Sequence, residues 1–227
     1  MSERPPAHSL TLQRGLRVLR VLADAPDGLS VSQLAAAMET HRAGIYRLLG
    51  PLQEERFVVR DADGRYTLGA GLIELASGVR QRLQEVAVPI LRELADELRA
   101  TTALTVRDGE EAVVAAVLEP RSTDMHISYR SGLRHALDQA APGIAILAGL
   151  PPRARERREV KAARERGWAL SAGELLPGAQ GVGVAIAVAG REPEASISAV
   201  WIDERDPARA AAAVVRAARE IAARLAS

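Results

Sequence analysis

Residues 30–69, SVSQLAAAMETHRAGIYRLLGPLQEERFVVRDADGRYTLG, carry a complete structural plan. Val31, Leu34, Ala35 and Met38 recur at helical spacing, so Ser32 to Met38 reads as a short helix with one apolar face. Ser30 or Ser32 can cap its start by accepting a bond from a free backbone N–H. After a tight turn, Ile45, Leu48, Leu49 and Leu52 form a second helical stripe, with Arg42, Tyr46 and Arg47 on the opposite side. Phe57 to Val59 then reads as a strand, Asp61 to Gly64 as a turn, and Tyr66 to Leu68 as the returning strand. Helix, turn, helix and hairpin in this order describe a winged helix-turn-helix, whose second helix enters the major groove. The residue chemistry fits that placement. The backbone around Thr40 and His41 offers N–H groups and a positive helix end to a phosphate. Arg42 and Arg47 can pair with phosphate or a guanine edge, Tyr46 can donate to either, and Arg65 sits on the wing.

Proline at position 51, preceded by Gly50, falls inside the second helix. Its ring meets the Arg47 carbonyl and it lacks an N–H, at a cost of about 3 kcal/mol in a regular helix interior. A bend or break at Leu49 to Pro51 is therefore predicted, with Leu52 still reaching the core.

The 227 residues leave room for two compact domains. A formal net charge of +1 gives no bulk polycation character, so any contact with DNA comes from local arrangement. The absence of cysteine excludes disulfides, thiolate metal sites and cysteine nucleophiles. Met1 to Ser9 lacks the apolar core of a secretion signal and reads as a disordered arm. No apolar run approaches the roughly 20 residues of a spanning helix, and a soluble, cytoplasmic protein without membrane partners is predicted.

Ahead of the decisive stretch, Leu12, Leu16, Leu19, Leu22 and Ala23 mark an amphipathic helix closed by Pro26-Asp27-Gly28. Beyond it, Leu72 to Leu83 reads as a linker helix, and a further helix starts at Val86 to Pro89 and runs to Ala100. From Thr101 the period changes to strands: 103–107, 112–118, 125–129, 168–171, 181–188 and 196–202. Small apolar residues 140–150 form a helix, 153–166 a charged one, and 207–226 an alanine-rich closing one. The fold class is α+β. Its boundaries fall at 1–69 for the winged helix-turn-helix, 70–84 for the linker and 85–227 for the second domain.

His8, His41, His126 and His135 show no ligand-like spacing, so no metal site is expected. Gly178, Gly181 and Gly183 stand at a strand start and not before a helix, so they cradle no phosphate. Nothing resembles a nucleophile elbow; neither enzymatic activity nor a cofactor is expected.

Two sets of residues make the likeness specific. One is Arg17-Val18-Leu19 with Leu22, Gly28-Leu29-Ser30, Leu34-Ala35, Tyr46-Arg47-Leu48-Leu49 and Asp63 to Gly69. The other is Gly143 with Ala145, Leu147 and Ala148, then Arg166-Gly167-Trp168-Ala169, Gly173-Glu174 and Gly178. Over nearly its whole length the chain resembles the IclR-type bacterial transcriptional regulators. The resemblance implies a GAF-like effector domain after the DNA reader, a homodimer or homotetramer, and double-stranded operator DNA as partner. It implies DNA contacts at Ser30, Thr40, His41, Arg42, Ala43, Tyr46, Arg47 and Arg65. It also implies a small-molecule pocket at Leu133, Gly143, Ile144, Ser171, Gly181 and Ser198. Ile144 stands where lysine is common and Ser171 and Gly181 where polar or acidic groups are common, which points to an aromatic or other weakly charged organic acid. Pro151-Pro152 replaces a segment that relatives usually carry. Gly44, Pro51 and the near-neutral charge leave an alternative: a ligand-binding module of the same fold with weakened or lost DNA recognition.

Overall fold

The structure, a computed structural model, describes residues 9–78, 80–121 and 130–226. The arm over residues 1–8 and the strand expected at 125–129 lie outside the described residues. The chain divides into two units, Met1–Arg80 and Gln81–Ser227.

In the first unit, helices α1 (Leu10–Ala23), α2 (Val31–Ala37) and α3 (Arg42–Glu54) precede strands β1 (Val58–Arg60) and β2 (Tyr66–Leu68), and α4 (Gly71–Ser77) closes it. Ser9, placed in the arm by the sequence, is the N-cap of α1, its hydroxyl accepting from the Leu12 N–H. At α2 it is Ser30 that caps. Its hydroxyl accepts from Gln33 N–H while the Gln33 side chain accepts from Ser30 N–H, a reciprocal capping box. Val18, Leu22, Leu34, Ile45, Leu49, Val58 and Tyr66 form the buried core, against which Leu48 and Leu52 pack. Two backbone bonds between Leu29 and Tyr66 add an isolated antiparallel bridge to β2, tying the loop before α2 to the wing.

The expected break at Pro51 is absent. Helix α3 runs unbroken from Arg42 to Glu54 with Pro51 inside it. Pro51 lies on the exposed side, where the Arg47 carbonyl it deprives of a donor faces solvent. The residue before a proline is pushed out of the helical region partly through its Cβ, and here that residue is Gly50, which has none.

The second unit begins earlier than the periodicity indicated. Helix α5 spans Gln81–Leu98, so Pro89 is interior to it, and the single linker helix expected over 72–83 is two helices. The apolar face of Leu83, Val86, Ala87, Ile90, Leu91 and Leu94 is continuous across Pro89, and its burial outweighs one lost bond. Strands β3 (Thr101–Asp108), β4 (Glu111–Leu118), β5 (Arg134–Ala136), β6 (Ala169–Ala172), β7 (Gln180–Ala185) and β8 (Ala195–Trp201) form one antiparallel sheet in the order β5-β4-β3-β8-β7-β6. Helices α5 and α8 (Pro207–Ala226) cover one face through Leu91, Leu104, Val182, Ile197, Val214 and Ile221. On the other face lie α6 (Ala140–Gly149) and α7 (Arg158–Arg166). Helix α7 starts five residues later than expected. Glu156 accepts from the Arg153 N–H and holds residues 153–157 in a loop.

Candidate nucleic-acid interface and effector pocket

In the first unit His41 ends the turn in extended conformation with no side-chain cap, leaving the first N–H groups of α3 without one. His41, Arg42, Ala43, Tyr46 and Arg47 are exposed along one side of the helix, Tyr46 by 55%. Thr40 is half-buried behind them. Gly44 has a structural use: a Cβ there would come 3.2 Å from the Thr40 hydroxyl, so its absence deepens a cleft of about 250 Å³. Thr11 and Arg14 of α1 and Arg47 of α3 share this cleft. Sequence reasoning missed Arg14, because a single arginine on a supporting helix has no signal until the fold sets it beside Arg47.

Ser30 and Arg65 are more committed than the sequence suggested. The Ser30 hydroxyl is engaged at the α2 N-terminus, and the Arg65 guanidinium donates to the Gly28 carbonyl at 3.1 Å. Arg65 therefore braces the loop before α2 while its remaining donors stay on the wing. Arg60 stacks over Tyr66 at 5.9 Å on the same hairpin.

In the second unit, a cavity of about 30 Å³ lies between the start of α6, the 173–179 loop and the sheet. Ser171 and Gly181 line it as expected, together with Ala140, Pro142, Glu174 and Val200. Leu133 joins Leu175, Leu176 and Val200 in a small apolar cluster at the same place. Strand register puts Ser198 on this sheet face, paired to Ala103 and Gly183; it is fully buried and its hydroxyl has no partner. Ile144 is elsewhere, buried between α6 and α7 with Val160 and Ala163. Gly143 is a close-approach position whose Cβ would lie 2.4 Å from the Leu137 carbonyl oxygen.

The polar frame around α6 was not legible from sequence. At its N-terminus Ala140 N–H donates to the Glu174 carboxylate at 3.1 Å, and Ala141 N–H to the Ser171 hydroxyl at 2.9 Å. Arg157 donates to the same carboxylate at 3.0 Å, and Gln139 to the Glu174 carbonyl at 3.0 Å. At the other end Arg164 donates to the Leu147 and Leu150 carbonyls at 3.1 and 3.2 Å and to Glu156. Hydrogen bonding from Arg164, helped by the Arg153 N–H, holds the Glu156 carboxyl at about 2. Burial pushes the His135 imidazole below its usual range against the bonds it makes to backbone. Among the described residues no group of His, Asp and Glu could hold a metal ion, and no helix is long and apolar enough to cross a membrane.

These features define a two-unit protein: a winged helix-turn-helix followed by an α+β unit with an antiparallel sheet and an internal cavity. Residues 11–62 match the IclR helix-turn-helix domain. It is 34% identical over 148 residues to the HTH-type transcriptional regulator Rv1719 of Mycobacterium tuberculosis, covering 64% of this chain and 56% of that one. This chain thus spans little more than half the length of the curated relatives it matches, which are named as transcriptional regulators and not as enzymes. The Thermotoga maritima IclR structure is similar over 97% of this chain and all of that one, with a TM-score of 0.76 and 26% identity. An IclR homolog of Microbacterium hydrocarbonoxydans, complexed with 4-hydroxybenzoate, shares the fold over 95% of this chain and 98% of its own (TM-score 0.82, 21% identity).

Proposed function

We propose that the protein is a DNA-binding transcriptional regulator whose operator affinity is set by a small molecule bound in the second unit. The observation that carries this reading is the exposed side of α3, where Arg42, Tyr46 and Arg47 stand together beside uncapped N–H groups and the wing. The alternative of a module with lost DNA recognition rested on Gly44 and Pro51. Helix α3 runs through both without interruption, which favours the regulator reading, while the near-neutral charge that also motivated the alternative is unchanged. Two copies related by a two-fold axis would read a pseudo-palindromic operator. Anisotropy or gel-shift titration against the intergenic DNA beside its own gene, at two salt concentrations, tests this. Saturable binding with a steep salt dependence supports it; binding no tighter than to random DNA refutes it.

The effector would be small and mainly apolar, with at most one charge, such as an aromatic monoacid. The apolar cluster of Leu133, Leu175, Leu176 and Val200 supports this class, as does the 4-hydroxybenzoate bound by a protein of the same fold. Effector action requires unequal affinity for two arrangements of the protein. Calorimetry against a panel of acids should favour aromatic monoacids; tight binding of a small dicarboxylate instead overturns the assignment.

A further inference from the structure

The donors at the start of α6 are already in use. The two N–H groups that α6 leaves open at its start, Ala140 and Ala141, go to Glu174 and Ser171, and Pro142 has none to offer. The Arg157 guanidinium is taken by the Glu174 and Glu159 carboxylates and the Asp138 carbonyl. The rest of the lining is largely apolar, with Pro142, Leu175, Leu176, Ala179 and Val200, and the sheet face that carries Val200 also carries the buried, unpartnered hydroxyls of Ser198 and Thr105. The cavity itself, at about 30 Å³, holds about one water molecule, against the roughly 300 Å³ and more of an ordinary small-molecule site.

We propose that Glu174 is an internal stand-in for an acidic effector: its carboxylate occupies the carboxylate subsite formed by the Ala140 N–H and Arg157, and an effector enters by replacing it. The inference rests on the effector reading above and adds how the site is held shut. Glu174 sits in the 173–179 loop between Gly173 (φ +69) and Gly178 (φ +77), both in the left-handed region that glycine adopts freely. Leu175 and Leu176 of the same loop complete the apolar cluster over Val200. Expelling the Glu174 carboxylate would therefore carry these two leucines off the cavity, making room for the effector's apolar body. The exchange is charge-neutral at Arg157, so it costs no unpaired cation. An effector without a carboxylate would not displace Glu174 and would gain nothing from the subsite.

Chemical rescue tests this on the full chain. In Glu174→Ala, formate should raise the melting temperature above that in chloride of equal ionic strength, whereas wild type should melt alike in both salts. Equal behaviour of the variant in formate and chloride overturns the proposal. Should Glu174→Ala fail to fold in either salt, Glu174→Gln, which keeps the shape and an acceptor, takes its place. Benzoate should then stabilise Glu174→Gln more than wild type, with an affinity gain of about tenfold, the size of one charge-assisted hydrogen bond. Benzamide should not discriminate between the two. Equal benzoate affinity, or no benzoate effect on either protein, refutes the stand-in. DNA titrations without ligand separate this from the regulator reading: rescue by formate in a chain that binds no operator would sink the latter alone.

Discussion

Pro51 is tolerated because three local circumstances coincide: exposure, a glycine before it, and a carbonyl that water can reach. Restoring the missing N–H with Pro51→Ala should raise the stability of the first unit by about 1–2 kcal/mol. That is part of the roughly 3 kcal/mol helix-interior penalty, less the ~0.4–1 kcal/mol that proline gains by restricting the unfolded chain. Thermal unfolding checks it; a destabilised variant would mean that the proline shapes the packing of Leu52. The sequence displayed Pro51 but not the side of the helix it faces, and that side decides between a break and a continuous helix. Arg47 and Arg14 meet in one cleft and differ in expected role. Arg47→Ala, on the recognition helix, should cost about 1–3 kcal/mol of operator binding and relax specificity. Arg14→Ala, on the supporting helix, should weaken all sequences alike and reduce the salt slope by about 1. Titrations of operator and scrambled DNA across salt concentrations separate the two. Loss of specificity in Arg14→Ala, with none in Arg47→Ala, would reverse the assignment.

Helix α6 shows what an element adds beyond its residues. It is apolar nearly throughout and buried from Ala140 to Leu147. Its dipole is met by Glu174 and Ser171 at the positive end and by Arg164 at the negative one. Its contact with the sheet is backbone on backbone: a Cβ on Gly183 would come 2.5 Å from the Ala141 carbonyl oxygen. Gly183→Ala should therefore push the start of α6 off β7 and destabilise the second unit by about 1–3 kcal/mol. Chemical denaturation measures this, and a neutral effect would show that α6 is free to shift. Composition alone made α6 readable as a helix. Its anchoring was not readable, because Ala140 and Glu174 lie 34 positions apart and only the sheet brings them together. Strand β5 escaped notice for a related reason: Arg134, His135 and Ala136 have no alternation of their own, and pairing to β4 makes them a strand.

At the scale of the molecule, acid acts on the second unit through His135 and through hydrogen-bonded carboxylates, Glu156 foremost among them. His135 stays neutral when folded below the pH at which it would ordinarily protonate, so unfolding gains a proton there. Its contribution to stability is intact above about pH 6.5 and declines as the pH falls below that. Glu156 stays ionised down to about 2, so its contribution is intact above about 4.5 and declines between there and 2. Denaturant midpoints of the second unit should therefore fall in two stages toward acid. Substituting His135 by Gln should remove the upper stage; its persistence would assign that stage to another group. The order of elements along the chain has a further consequence, in the cell. The core of the first unit is complete at Tyr66, whereas the second closes only when α8 lies against α5, more than a hundred residues earlier in the chain. During synthesis the first unit can fold while the second is still unfinished. A nonsense mutation anywhere between Arg80 and α8 would thus leave one kind of product whatever its position: a folded first unit trailing a segment open to proteases.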